Sequence, residues 1–177
     1  MADRGLTGVL LVGGASTRFG SPKALAQLDG ETLAERAWRV LGDACDERIA
    51  VGKKSDALQL PFEIVDDGSE VRAPIAGLVA GLRAARHDLA VVIPVDCPRL
   101  TVAALHELAD ACLDVAMPQT GPLPGAYRRS ALRALEQALA VGTLALRDAV
   151  APLDVVTVEL DAGLLVNVNR PIDVRRL

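Results

Sequence analysis

Strand-like apolar runs take turns with helical patterns along nearly the whole of this sequence, and that alternation limits the fold more than any other feature. The pattern predicts strands at residues 8–12, 48–51, 62–65, 89–95, 114–117, 155–160 and 164–168, and helices at 32–44, 74–86, 101–112 and 130–140. Such alternation belongs to α/β domains with a mostly parallel sheet between two layers of helices, so a three-layer α/β/α Rossmann-like fold is expected. The run 89–95 is apolar on both faces, as a central strand should be. In these sheets ligands bind beyond the carboxyl ends of the strands, so the functional residues should follow strands directly.

At 177 residues and 51% hydrophobic, the chain is long enough to bury one core, and a single domain over residues 1–177 is expected. Thr32 followed by Glu35 reads as a helix capping box, and Asp29-Gly30 as a tight turn. The net charge of −4 and the isoelectric point near 5.2 argue against a nucleic-acid or anionic-membrane surface. Any anionic substrate must therefore be met by a local basic site. The apolar runs are too short for a membrane-crossing helix, and the start MADRGLTG lacks the apolar core of a signal peptide, so a cytoplasmic protein is expected. Cys45, Cys97 and Cys112 show no metal-site or disulfide spacing, and Cys97 reads as a small space-filling residue. His87 and His106 make no case for a catalytic triad.

The stretch 8–25, GVLLVGGASTRFGSPKAL, is a buried strand emptying into a loop with Gly13, Gly14, Arg18, Gly20 and Lys23. Glycines allow backbone amides to approach a ligand, and Arg18 and Lys23 bring mobile positive charge, a combination suited to a polyphosphate. The spacing fits neither common phosphate loop. Five residues separate Gly14 from Gly20, and Ser21-Pro22 intervene before Lys23, which excludes the P-loop; the glycines also miss the dinucleotide fingerprint.

Three further places stand out. Asp66-Asp67 closes a strand, where it is either a solvated turn or part of a ligand site. Asp96 directly follows the central strand and precedes Cys97-Pro98, which puts a hard oxygen ligand for Mg²⁺ at the sheet's carboxyl edge. The alternative is a turn aspartate, although Thr101 is the better cap for the next helix. Asn167 and Asn169 alternate along an extended segment and so share one side, where their amides can donate to and accept from a ligand or lend a carbonyl oxygen to a metal; turn chemistry before Pro171 is the other option.

These motifs, in this order, resemble the nucleotidyltransferases of the molybdenum cofactor guanylyltransferase (MobA-like) family. LVGGASTRFGSPK is similar to the family's L-A-G-G-x-x-x-R-[ML]-G-x-x-K, APIAGL to G-P-[LI]-A-G-[LI], DCPRL to D-x-P-x-L, and NVNRPID to N-[VI]-N-T-P-x-D. Gly121 and Arg170 depart from the family pattern. The resemblance implies transfer of GMP from GTP to the phosphate of Mo-molybdopterin, with release of pyrophosphate. It implies Arg18, Lys23 and Asp96 as catalytic residues. Leu11, Val12, Gly13, Gly14, Lys23, Asp67 and Asp96 would bind the nucleotide, Asp67 being preferred to Asp66 by register. Asp96 would hold Mg²⁺, Asn167 and Asn169 the acceptor. Transient contact with cofactor-delivering proteins is implied as well. A cytidylyl or sugar-phosphate transferase of the same fold stays open, the Gly13-Gly14 doublet favouring the guanylyl branch. So does a nucleotide-binding regulator without catalysis, against which the retention of Lys23 and Asp96 argues.

Overall fold

The computed structural model describes residues 5–13 and 22–174. In chain order its elements are β1 (Leu6–Leu11), β2 (Gln27–Leu28), β3 (Glu31–Thr32), α1 (Leu33–Ala44), β4 (Glu47–Gly52), β5 (Ile64–Asp66), α2 (Pro74–Ala84) and β6 (Leu89–Pro94). There follow α3 (Val102–Ala111), β7 (Val115–Pro118), β8 (Gly125–Arg128), α4 (Leu132–Ala140), α5 (Leu146–Val150), β9 (Val155–Val158) and α6 (Pro171–Val174).

Seven strands form one sheet in the order β5-β4-β1-β6-β8-β7-β9. All run parallel except β8, which is antiparallel to both β6 and β7. All six residues of β1 are buried because the strand lies between β4 and β6 with helices over both faces. Its side chains divide by alternation: Leu10 joins the core under α1 and α3, and Val9 and Leu11 join the core under α2 and α4. The expected three layers are thus present.

Helix α2 lies unusually close to the sheet. A Cβ at Gly81 would fall 2.5 Å from Val9 Cγ1, and one at Gly77 3.0 Å from Leu11 Cδ2, so these glycines are where helix and strand touch. This brings the start of α2 down onto the sheet edge. The capping box is formed as expected: Glu35 N–H donates to Thr32 Oγ1, and the Glu35 carboxylate accepts from the Thr32 amide. Asp29 and Gly30 turn the β2–β3 hairpin with φ of 52° and 86°.

Two sequence expectations need correction. Residues 164–168 do not form a strand. Asp161 accepts from the amides of Gly163 and Leu164, which bends the chain at once, and the apolar residues that suggested a strand serve as plugs. Leu165 is buried against the α1/α3 core, and Val168 packs on Leu28 and Leu33. The second correction is β8, which the sequence pattern did not indicate. It is short, and its pairing comes from insertion between two strands rather than from its own periodicity. Buried Tyr127 anchors it, with its hydroxyl donating to Pro122 O at 2.5 Å. No helix among the described residues is long and apolar enough to cross a membrane.

Candidate functional site

Parallel strands β1, β4, β5 and β6 end side by side, and a cavity of about 290 Å³ opens at their carboxyl ends. Leu11, Val12, Gly13, Lys23, Asp67 and Asp96 all line it. Gly14 and Arg18 lie outside the described residues. The wall opposite β6 is the start of α2, where Pro74 opens the helix and Gly77 faces the cavity without a side chain.

The strand ends are joined by backbone. Val12 N–H donates to Val51 O and Asp67 N–H to Gly52 O, both at 2.9 Å. A Cβ on Gly52 would come 2.8 Å from Val12 Cγ2, so any side chain at position 52 would force the valine to shift. Gly13 differs. Its nearest protein neighbour would be Gly52 Cα at 3.6 Å, an ordinary contact, so the described protein leaves room for a methyl group there.

The acidic pair divides its tasks. Asp66 faces away from the cavity and accepts from the amides of Lys54 and Gly68, and those bonds hold its carboxyl below the usual range. Asp67 lines the cavity but is not an open carboxylate. Lys53 Nζ donates to its two oxygens at 2.8 and 2.9 Å and to Ser69 O at 2.5 Å, with side-chain exposures of only 12% and 7% for the pair. Ser69 N–H adds a further bond to Asp67 Oδ1. Lys53 went unnoticed in the sequence. The available signal was a lysine directly after a buried parallel strand, at the edge where ligands bind.

A second cluster gathers at the lip. Lys23 opens a single 3-10 turn, Lys23–Leu25, which is seated by buried Ala24 and by the bond from Leu33 N–H to Ala26 O. From there Lys23 Nζ donates to Asp96 Oδ2 and to Asn169 Oδ1, both at 3.2 Å. Arg36 Nε holds Pro98 O at 3.0 Å and so ties the turn bearing Asp96 to α1. The segment carrying the asparagines is held in turn: Val168 N–H donates to Asp96 O at 2.8 Å, and Asp173 accepts from the amides of Asn169 and Arg170. Val168 is fully buried while Asn167 and Asn169 on either side of it are exposed, although Val166 is exposed as well and no strand forms.

Cys97 is 5% exposed, and burial, reinforced by the charge of Asp96, pushes its thiol up to about 12. It is not a nucleophile. Arg147 donates to Thr120 O and is not among the residues lining the cavity; of the segment 119–127, Leu123 lines it.

No three His, Cys, Asp or Glu side chains gather among the described residues, so an all-protein metal cage is not formed there. One carboxylate at the mouth of the cavity does match the way Mg²⁺ is commonly held, by one or two carboxylates with substrate phosphates completing the shell. The arrangement can therefore neutralise a polyphosphate at the lip of a nucleoside-sized cavity, with two amides waiting on the other side.

Comparisons with known proteins agree with this geometry. Residues 8–156 match the MobA-like NTP transferase domain. The chain is 32% identical to the probable molybdenum cofactor guanylyltransferase of Chloroflexus aggregans, over 96% of this chain and 92% of that one. It is 40% identical to the molybdenum cofactor guanylyltransferase of Burkholderia ambifaria, over 65% of this chain and 62% of that protein. Among solved structures, molybdopterin-guanine dinucleotide biosynthesis protein A from Archaeoglobus fulgidus superposes with a TM-score of 0.82 at 25% identity, covering 96% of this chain and 95% of that one.

Proposed function

Because the chain belongs to the MobA-like NTP transferase family, we propose that it transfers GMP from GTP to the phosphate of molybdopterin carrying molybdenum, releasing pyrophosphate. The observation that carries this reading is the meeting of Lys23, Asp96 and Asn169 at the lip of the cavity, between a nucleoside-sized space and a pair of exposed amides.

The nucleoside lies in the cavity, where the backbone at Leu11, Val12 and Gly13 reads the base and the wall bearing Asp67 closes the ribose side. A volume of about 290 Å³ is at the small end for ligand pockets and suits the nucleoside rather than both substrates. The triphosphate runs out over the lip toward Lys23; Gly14 and Arg18, which the family pattern adds to its binding, lie outside the described residues. Asn167 and Asn169 bind the acceptor, so the two substrates meet beside Asp96.

An oxygen of the acceptor phosphate attacks the α-phosphorus of GTP. The bond from that phosphorus to the bridging oxygen breaks, and pyrophosphate leaves with the electron pair. The nucleophile is already an anion at neutral pH, so no general base is required. What the reaction needs is alignment and cations aimed at the charge that develops. Lys23 supplies one cation from its 3-10 turn, and Arg18 of the family pattern supplies another. Asp96 is the residue that would hold Mg²⁺, which when bound supplies Lewis-acid neutralisation of phosphate oxygens.

The test is to give the purified protein molybdopterin bearing molybdenum, Mg²⁺ and each nucleoside triphosphate in turn. Pyrophosphate and the guanine dinucleotide are expected with GTP. Turnover with CTP and not GTP would move the chain to the cytidylyl branch, and nucleotide binding without turnover would make it a regulator.

A further inference from the structure

The turn after β6 and the segment 167–169 meet through two bonds. One is backbone, from Val168 N–H to Asp96 O at 2.8 Å. The other joins Cys97 Sγ to Asn167 Oδ1 at 2.9 Å. The sulfur is in tight contact with this amide oxygen, the nearer of the two acceptors it has, since Asp96 Oδ1 lies at 3.8 Å, and the thiol is buried while Asn167 is exposed. Cys97 thus reaches outward from the core to a side chain at the surface.

The partner asparagine is held in the same sense. Lys23 Nζ lies 3.2 Å from Asn169 Oδ1, and an ammonium can only donate, so the Asn169 carbonyl must face the lysine. In a planar amide the NH₂ lies on the other branch. With both carbonyl oxygens taken up by Lys23 and Cys97, both NH₂ groups are turned away from the Asp96 cluster. Two amides that could have faced either way become a pair of donors.

We propose that Cys97 is a positioning residue: its thiol donates to Asn167 and sets the amide with its NH₂ toward the acceptor side, where it meets an anionic oxygen of the acceptor. The assignment rests on the reading of Asn167 as an acceptor contact. Cys97 touches no reacting atom and acts through Asn167. It follows that the asparagines offer donors to an anion rather than carbonyl oxygens to a metal.

Two measurements on the full-length protein test this separately. The S–H stretching band of Cys97 is assigned by its disappearance in Cys97→Ser, against the bands of the other free thiols, Cys45 and Cys112. In Asn167→Ala that band moves to higher frequency as the thiol loses its partner; a band that does not move overturns the proposal. In kinetics, Cys97→Ala raises the KM for the acceptor about threefold to tenfold, the range of one hydrogen bond, with the KM for GTP unchanged. Cys97→Ser, which keeps a donor, restores most of the loss, and Cys97→Ala adds little in an Asn167→Ala background. Equal losses toward both substrates, or losses that multiply in the double variant, would make Cys97 a packing residue and overturn the proposal. Absence of transfer by the wild-type protein, with the infrared shift intact, would count against the proposed reaction and leave the thiol's hold on Asn167 standing.

Discussion

Two lysine–aspartate pairs stand at the same edge of the sheet and could hardly be built more differently. Lys53 and Asp67 are locked. The ammonium spends its donors on both carboxylate oxygens and on Ser69 O, at 2.5 to 2.9 Å, and the two side chains are 12% and 7% exposed. Lys23 and Asp96 are looser. A single contact of 3.2 Å joins them, the lysine also bonds Asn169, and the side chains are 18% and 23% exposed. The first pair joins β4 to the loop after β5 and behaves as part of the wall. The second faces the lip, with charge available to be rearranged around a phosphate. The same residue types at the same edge are divided between structure and chemistry by burial and by how closely each pair is bonded.

The comparison can be broken by substitution. Asp96→Asn should show the largest effect, a loss of about 1,000-fold or more in GMP transfer, since electrostatic groups at a transition state are worth about that much, with thermal stability close to that of the parent. Undiminished turnover would remove Asp96 from metal binding. Lys23→Ala should lower transfer by about 100-fold or more, again with little change in melting temperature. A lysine that is dispensable for rate would make the two pairs alike.

Lys53→Met should behave in the opposite way. It leaves Asp67 as a buried charge without its cation and should destabilise the fold by about 3 kcal/mol, read by denaturant unfolding. Lys53→Met with Asp67→Leu should recover most of that stability, because the cost lies in the unpaired charge. A large rate effect without loss of stability would place Lys53 with the chemistry. The smallest effect is expected for Gly13→Ala. Among the described residues the nearest neighbour there is 3.6 Å away, so stability should hold. The added methyl group would meet the nucleotide instead, and the preference for GTP over CTP should narrow by about tenfold, the scale of one methyl group in a binding pocket. Measured KM values for the two nucleotides decide this.

The two sides of the lip were unequally legible in the sequence. The cavity side is made by strand ends, and strands leave a local record: the apolar runs of β1 and β6 put Leu11–Gly13 and Asp96 at the ends of strands. Asp67 was placed at the correct edge, yet its partner Lys53, 14 residues earlier, was missed, because nothing local says which strand lies beside β5. On the other side of the lip, the motif pointed to Asn167 and Asn169 while the periodicity suggested a strand that does not exist. The buried residues there, Leu165 and Val168, are three apart rather than two, and a turn at Asp161 and the anchors at Asp96 and Asp173 set the path of the chain.

What this sequence determined by itself was whatever is written at short range: the succession of elements, the capping box of α1, the turn at Asp29-Gly30, and the spacing of glycines and cations after β1. The tertiary structure decided the rest. It inserted β8 against the direction of its neighbours, and it brought Lys23 to Asp96 across 73 positions and to Asn169 across 146. The reason is physical. Periodicity and turn chemistry are local properties of the backbone, whereas a pairing between side chains depends on strand order and on which neighbour is near enough to satisfy each polar atom.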